Sequence, residues 1–374
     1  MTSQQQPKPR IAVVFGGRSS EHVISCATAG SVLATIDRAA YDVIPVGIAT
    51  DGRWVLADGD PERLRIRSAE ELPEVDGSGD LVSLNAVAGG AELVVSAAGA
   101  PPSVLGSVDV VFPLLHGPWG EDGTVQGLLE MAGVRYVGSG VLASAIGMDK
   151  AVTKVVLAGA GLPTVPSVVV TAHDWRADET DCRERIAALG YPVFVKPTRA
   201  GSSMGISKVR GPEELAAAIE TAQAHDPKVL VEAFAAGARE IECGVLGALD
   251  GGVETTLPAE IKVGGDHEFY DFEAKYLPEE STTIDLPADL PDEVIARVRE
   301  MSAQVFRAVG CEGLARVDFF LMPSGELLVN EINTMPGFTP TSMYPQMWAA
   351  SGFDYPQLVE RLIQLALARD TGLR

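Results

Sequence analysis

The chain has 374 residues, with 29 Lys plus Arg against 51 Asp plus Glu and a net charge of −22. That length exceeds one small core and calls for two or three domains, and so acidic a surface excludes nucleic acid and anionic membranes as partners. The apolar fraction of 46% excludes disorder over most of the length, and every apolar run is broken by Gly, Pro or charge well before the ~18 residues of a membrane-spanning helix.

The opening "MTSQQQPKPR" is polar, with no apolar stretch behind it to act as a signal peptide, so residues 1–10 read as a disordered tail. "IAVVF" (11–15) is a short buried strand running into Gly16-Gly17, and a helical pattern follows from about Ser20. "YDVIPVGI" and "VDVVFPLLHG" read as further parallel strands of an open α/β sheet. Between them, 57–107 mixes a charge-rich and a Gly/Ala/Pro-rich stretch and reads as an irregular insertion. "GVLASAIGMDKAVTKVVLAGAGLP" turns helical and stops at Gly161 and Pro163. A second unit follows: "SVVV", "YPVFVKP", the Gly-rich "TRAGSSMGI", the helix "GPEELAAAIETAQA" and the strand "VLVEAF". The remainder mixes strands ("EIECGVLG", "ETTLPAEIKV") with the helices "PDEVIARVREMSAQVFRAVG" and "DYPQLVERLIQLALA". "GGDHEFYDFEAKYLPEESTT" is the flexible stretch of this last unit. The class is therefore α/β at the N-terminus and α+β overall. Cys26, Cys182, Cys243 and Cys311 lack metal or redox spacing, which fits buried thiols in a reduced, cytoplasmic compartment.

"GLARVDFFLMPSGELLVNEINTMPGF" has the form of a β-hairpin around Pro323-Ser324-Gly325, yet Arg316, Asp318, Glu331 and Asn333 interrupt its apolar runs. Side chains alternate across a strand, so Arg316 shares a face with Asp318, and Glu331 with Asn333. A two-residue loop at Ser324-Gly325 sets Asp318 opposite Glu331; a three-residue loop shifts the register by one and parts the pairs. Facing carboxylates repel, and a hard divalent cation such as Mg²⁺ turns that repulsion into binding. The other reading is an ion pair of Arg316 with one carboxylate.

"YPVFVKPTRAGSSMGISKV" is a strand with Lys196 near its end, then a turn in which Gly201 and Gly205 free backbone N–H groups and Ser202 and Ser203 add hydroxyls. It matches neither a Walker loop nor GxGxxG. Read alone it is a phosphate cradle or an ordinary hairpin turn; beside a Mg²⁺ site it suits ATP. Lys150, in "GMDKAVTK", is a phosphate contact or an exposed helix lysine.

"HGPWGEDGTVQG" (116–127), "KPTRAGSSMG" and "NEINTMPGFTP" together resemble the D-alanine–D-alanine ligase family of the ATP-grasp superfamily, over nearly the whole chain. The resemblance implies three domains: an N-terminal open parallel α/β sheet (11–143) that binds the first D-alanine, and two α+β domains (144–234 and 235–374) that sandwich ATP, the last carrying a mobile lid at about 264–283. It implies that Lys150, Lys196, Ser202 and Ser203 contact ATP phosphates. Glu232 and the backbone of Phe234 and Ala235 meet the adenine, and Glu240 the ribose. Asp318, Glu331 and Asn333 hold two Mg²⁺ ions, for which Mn²⁺ can substitute. Glu21 takes the first substrate's ammonium, and His116 lies beside it. Arg316 and the Gly337 N–H bind its carboxylate, and Ser342 and Met343 line the second D-alanine pocket. Tyr276 and Ser202 relay a proton, and Lys275 reaches the phosphate. The chain reads Glu21-His22-Val23-Ile24-Ser25 where many members read Glu-His-Glu-Val-Ser, and Ala233 stands where many carry a charge. The implied activity is ATP-dependent ligation of two D-alanines through a D-alanyl phosphate, for peptidoglycan precursors. Its alternatives are a D-serine or D-lactate second substrate, or a non-catalytic ATP-binding regulatory module. The resemblance further implies a homodimer through the N-terminal domain and leaves room for a monovalent cation such as K⁺.

Overall fold

The computed structural model describes residues 7–68, 71–201, 204–263 and 282–372. Ser202, Ser203, Lys275 and Tyr276, and all but the end of the expected lid, lie outside the described residues.

The first sheet has eight strands: β1 (Arg10–Gly16), β2 (Asp42–Ile48), β3 (Trp54–Leu56), β4 (Leu81–Val87), β5 (Gly90–Ser96), β6 (Ser103–Val108), β7 (Val110–Pro113) and β8 (Arg135–Tyr136). Their order is β6-β5-β4-β3-β2-β1-β7-β8. β1 pairs in parallel with β2 and β7, as the continuous apolar runs predict. Arg10, expected in the N-terminal tail, is the first residue of β1. The insertion is not irregular throughout: β4, β5 and β6 extend the sheet antiparallel, and β5 alternates buried Ala91, Leu93 and Val95 with wetter neighbours. That period of two was present in "GAELVVS" and was masked by the surrounding Gly and Ala.

Helix α1 (His22–Thr35) follows β1, and α2 (Thr124–Met131) follows β7. Ser25 of α1 ties both strand ends together: its hydroxyl accepts the Gly16 N–H at 2.8 Å and donates to the Leu114 carbonyl at 2.5 Å. This sets Glu21, at the mouth of α1, over the strand ends.

The long helical run breaks into α3 (Val141–Met148) and α4 (Lys150–Gly159). Asp149 causes the break: its carboxylate accepts the Val152 N–H at 3.2 Å and caps α4, whose first residue is then Lys150. A second sheet holds β9 (Ser167–Thr171), β10 (Val193–Pro197), β11 (Ser207–Val209) and β12 (Lys228–Ala233), all antiparallel, in the order β11-β10-β12-β9. Helices α5 (Ala172–Ala177), α6 (Glu179–Ala187) and α7 (Leu215–Gln223) belong to the same stretch, and α6 and α7 bury Cys182, Ile186, Leu215 and Ile219 against this sheet.

The third sheet comprises β13 (Arg239–Gly247), β14 (Val253–Thr255), β15 (Ala259–Val263), β16 (Thr282–Asp285), β17 (Leu314–Leu321) and β18 (Leu327–Asn333). Helix α8 (Asp292–Val309) packs on it, and α9 (Met343–Ala350) and α10 (Tyr355–Ala368) close the chain. Two packings cross the expected boundaries. Ala143 of α3 and Leu157 of α4 share a core with Ile241, Val298 and Phe319 of the third-sheet unit. Leu358, Leu362 and Ile363 of α10 join Ile11, Val13 and Phe112 of the first sheet.

The hairpin corrects one expectation and keeps its consequence. Its loop has three residues, Pro323 to Gly325: the Met322 N–H donates to the Glu326 carbonyl at 2.8 Å and the Gly325 N–H to the Met322 carbonyl at 2.8 Å. Near the turn Leu321 faces Leu327, but beyond it Asp318 faces Glu331 and Arg316 faces Asn333. The register shifts between Asp318 and Phe319, where Asn330 is the extra residue of a β-bulge. The bulge cancels the longer loop, so the polar pairs share one face.

Candidate active site

A cleft of about 900 Å³ opens where the three sheets approach one another. Among the residues singled out by sequence, Glu21, His116, Lys150, Lys196, Glu232, Phe234, Ala235, Glu240, Arg316, Asp318, Glu331, Asn333, Gly337, Ser342 and Met343 all line it.

At one end stand Lys150 and Lys196, with the buried Lys154 behind them. Lys150 is not an exposed helix lysine: its ammonium donates to the Ala200 carbonyl at 2.9 Å and lies 3.5 Å from Glu331. Lys196, on β10, faces β12 across the ladder and meets Glu232 at 2.5 Å. Lys154 meets the other Glu232 oxygen at 2.7 Å and donates to the Val165 carbonyl at 2.9 Å. Burial pushes the Glu232 carboxyl up, but the charges of Lys196 and Lys154 outweigh it and hold it down at about 2. The mouth of the glycine-rich turn is fixed from behind, because Arg199 forks onto Asp226 at 2.9 and 2.7 Å.

The middle of the cleft is a row of carboxylates. Glu242 on β13 faces Asp318 on β17, which faces Glu331 on β18. Arg316 holds the row together, donating to the two Asp318 oxygens at 2.7 Å each and lying 3.1 Å from Glu242. The Asn333 amide donates to Asp318 at 3.0 Å. Among the described residues, no group of three or more His, Cys, Asp or Glu side chains is arranged to hold a metal alone. Asp318, Glu331 and Asn333 offer hard oxygens from two paired strands, a set that fits Mg²⁺ because that ion keeps waters and completes its shell with substrate phosphate.

At the other end the backbone packs closely around Glu21. A Cβ on Gly117 would sit 2.5 Å from a Glu21 carboxylate oxygen, and one on Gly201 would sit 3.0 Å from it. Glycine at both places lets the "HGPWG" loop and the glycine-rich turn close on Glu21. His116 is buried; its Nδ1 lies 3.1 Å from the Met335 carbonyl, which only accepts, so Nδ1 carries the proton. Burial lowers the His116 pKa, with Glu21 opposing, and the ring is neutral. The Nε2 lone pair is left facing the Thr28 hydroxyl at 3.5 Å. Glu121 takes the other side of Met335: its carboxylate accepts the Met335 N–H at 3.1 Å and the Gly117 N–H at 2.7 Å. Met335 is thus clasped at both its N–H and its carbonyl, two residues before Gly337. Ser342 is the N-cap residue of α9, and its hydroxyl lies 2.8 Å from that of Thr339.

Sequence reasoning missed Lys154, Glu121 and Glu242. Each carried a signal. Lys154 is four residues after Lys150 on one helix face, Glu242 is two after Glu240 on one strand face, and Glu121 lies inside the "HGPWGEDGTVQG" motif.

A family model described as "D-ala D-ala ligase N-terminus" matches residues 10–139, and one described as "D-ala D-ala ligase C-terminus" matches 156–364. The chain is 60% identical to a D-alanine–D-alanine ligase of Kineococcus radiotolerans, covering 99% of each, and 59% identical to one of Paenarthrobacter aurescens, covering 98% of this chain and 97% of the relative. Among solved structures, it is similar to the VanG D-Ala:D-Ser ligase of Enterococcus faecalis, with TM-score 0.81 and 36% identity over 96% of this chain and all of that one. It is also similar to the D-alanine–D-alanine ligase of Coxiella burnetii, with TM-score 0.79 and 35% identity over 96% and 94%.

Proposed function

The chain belongs to the D-alanine–D-alanine ligase family, and from that premise we propose that it joins two D-alanines with ATP through a D-alanyl phosphate, as a step towards peptidoglycan precursors. It is an ATP-dependent carboxylate–amine ligase. The observation that carries the reading is the meeting of Lys150 with Glu331 and of Arg316 with Asp318 in one cleft, between the Glu21–His116 end and the Glu232 end.

Phosphoryl transfer depends on alignment and charge neutralisation. Glu21 takes the ammonium of the first D-alanine, beside His116. Arg316 exchanges Asp318 for the substrate carboxylate, which the Gly337 N–H also holds. One carboxylate oxygen attacks the γ-phosphorus, the bond to the β-phosphate oxygen breaks, and ADP leaves. Lys150, Lys196, Ser202 and Ser203 align the phosphates, while Glu232, Phe234 and Ala235 hold the adenine and Glu240 the ribose. Asp318, Glu331 and Asn333 would hold two Mg²⁺ or Mn²⁺ ions, whose charge would neutralise the phosphates. The second amine, in the pocket of Ser342 and Met343, attacks the acyl carbon; Arg316 and the Gly337 N–H stabilise the oxyanion, and phosphate departs. The amine's proton passes to Ser202 and Tyr276 or to the departing phosphate. Lys275 is proposed to reach the phosphate, and the segment that carries it and Tyr276 to keep water from the acyl phosphate.

The three sheets support domains at 11–143, 144–234 and 235–374. Exposed Leu128, Met131 and Leu142 on α2 and α3 support pairing of two copies through the N-terminal domain. Four buried free cysteines support a cytoplasmic location, and no described helix is long and apolar enough to cross a membrane.

Phosphate release from ATP with D-alanine, D-serine, D-lactate and L-alanine offered in turn tests the reading. D-alanine alone should support turnover. Faster turnover when D-serine joins D-alanine would favour the second reading, which the likeness to the D-Ala:D-Ser ligase keeps in view. Tyr276→Phe should slow dipeptide formation more than acyl-phosphate trapping; equal losses would remove Tyr276 from the proton relay.

A further inference from the structure

Glu232 is a buried carboxylate shared by two ammonium groups, Lys196 at 2.5 Å and Lys154 at 2.7 Å. Lys154 is itself buried, and the Val165 carbonyl at 2.9 Å fixes it from a third direction. The proposed reaction leaves Lys154 without a task. Yet it also asks Lys196 to serve the phosphates, which Lys196 reaches by turning away from Glu232. An ionised carboxylate stripped of its last partner in a buried place is costly. Lys154 prevents that stripping. When Lys196 turns away, Glu232 keeps one ion pair and its orientation, and its second oxygen is freed as an acceptor.

We propose that Lys154 is a positioning residue for ATP: it is the resident counter-ion of Glu232, and so releases Lys196 to the phosphates and leaves Glu232 free to accept from the exocyclic amino group of the purine. This rests on the roles given above to Glu232 and Lys196. The Val165 bond matters because it stops Lys154 from following Lys196 into the cleft.

The test is steady-state kinetics with ATP and with inosine triphosphate, which carries a 6-oxo group where ATP carries the amine. Lys154→Met should raise KM for ATP by about tenfold or more with kcat within about threefold, and should shrink the preference for ATP by a similar factor. Lys154→Arg should restore most of both. In a Glu232→Gln background there is no carboxylate left for Lys154 to hold, so Lys154→Met should add less than about twofold. Lys154→Gln, which keeps a donor for Val165 without the charge, carries the same expectations should the methionine variant fail to fold. The inference is overturned if Glu232→Gln raises KM and erodes the preference while Lys154→Met and Lys154→Gln do neither, or if the two effects add in full. Should Glu232→Gln itself change neither quantity, the adenine role of Glu232 falls instead.

Discussion

Glu232 and Glu121 line the same cleft, and their surroundings drive them in opposite directions. Glu232 faces two lysines, whose charges outweigh burial and pull its carboxyl down to about 2. Glu121 faces two backbone N–H groups and, beyond them, Glu21. Its loss of water, then the Glu21 charge, outweigh those N–H bonds and push it up to about 8. Dipoles alone do not offset desolvation here; whole charges do. The nucleotide end of the cleft is therefore built from ion pairs that persist across ordinary pH. At the amino-acid end Glu121 keeps a proton near neutrality and His116 is neutral.

The junction between the two ends gives the largest expected effect. Asp318→Asn or Glu331→Gln should lower turnover by about a thousandfold or more with the fold retained, because both ends act through the carboxylate row. Near-normal turnover at saturating Mg²⁺ in either variant would break the division of the cleft at that row. Next comes a separation of the ends. Glu121→Ala frees the Met335 N–H and loosens the approach to Gly337, so kcat should fall by about 10- to 100-fold while KM for ATP stays within about twofold. The expected loss in Glu232→Gln is the converse, in KM for ATP. If Glu121→Ala raised KM for ATP as much as it lowered kcat, the two ends would not be separable.

Legibility followed the range of the interactions. The apolar runs of β1, β2 and β7 report their own burial, and Arg316, Asp318, Glu331 and Asn333 stand out because they interrupt the apolar runs of β17 and β18. The loop of the β17–β18 hairpin was not legible, since Pro323-Ser324-Gly325 suits two or three residues equally. The bulge at Asn330 restores the pairing, so Asp318 and Glu331 face each other across a three-residue loop that alone would part them. The packing of α10 was legible as to face and not as to partner: Leu358, Leu362 and Ile363 mark an apolar stripe, but a stripe does not say which sheet covers it. Glu121 and Lys154 went unread because their partners, Met335 and Glu232, are far away in sequence, and such pairs are made only by the fold.

The smallest expected effect is on stability, and it carries the comparison in its sign. The folded Glu121 carboxyl titrates at about 8, above its ordinary 4.5. Between those values the folded chain holds a proton that the unfolded chain has released, so stability falls as pH rises, by at most about 1.4 kcal/mol per pH unit. Glu121 still touches water in the cleft, and the slope should be a fraction of that limit. Glu232 works the other way. Its folded value of about 2 lies below 4.5, so its contribution is present above pH 4.5 and is lost as pH falls towards 2. Urea midpoints measured from pH 3 to 9 should show Glu121→Gln flattening the decline between pH 5 and 8 and leaving the acid limb alone. Glu232→Gln should flatten the acid limb and leave the decline. An unchanged slope between pH 5 and 8 in Glu121→Gln would mean that Glu121 is ionised in the folded chain, and that Gly117 and Met335 N–H suffice to hold a buried charge beside Glu21.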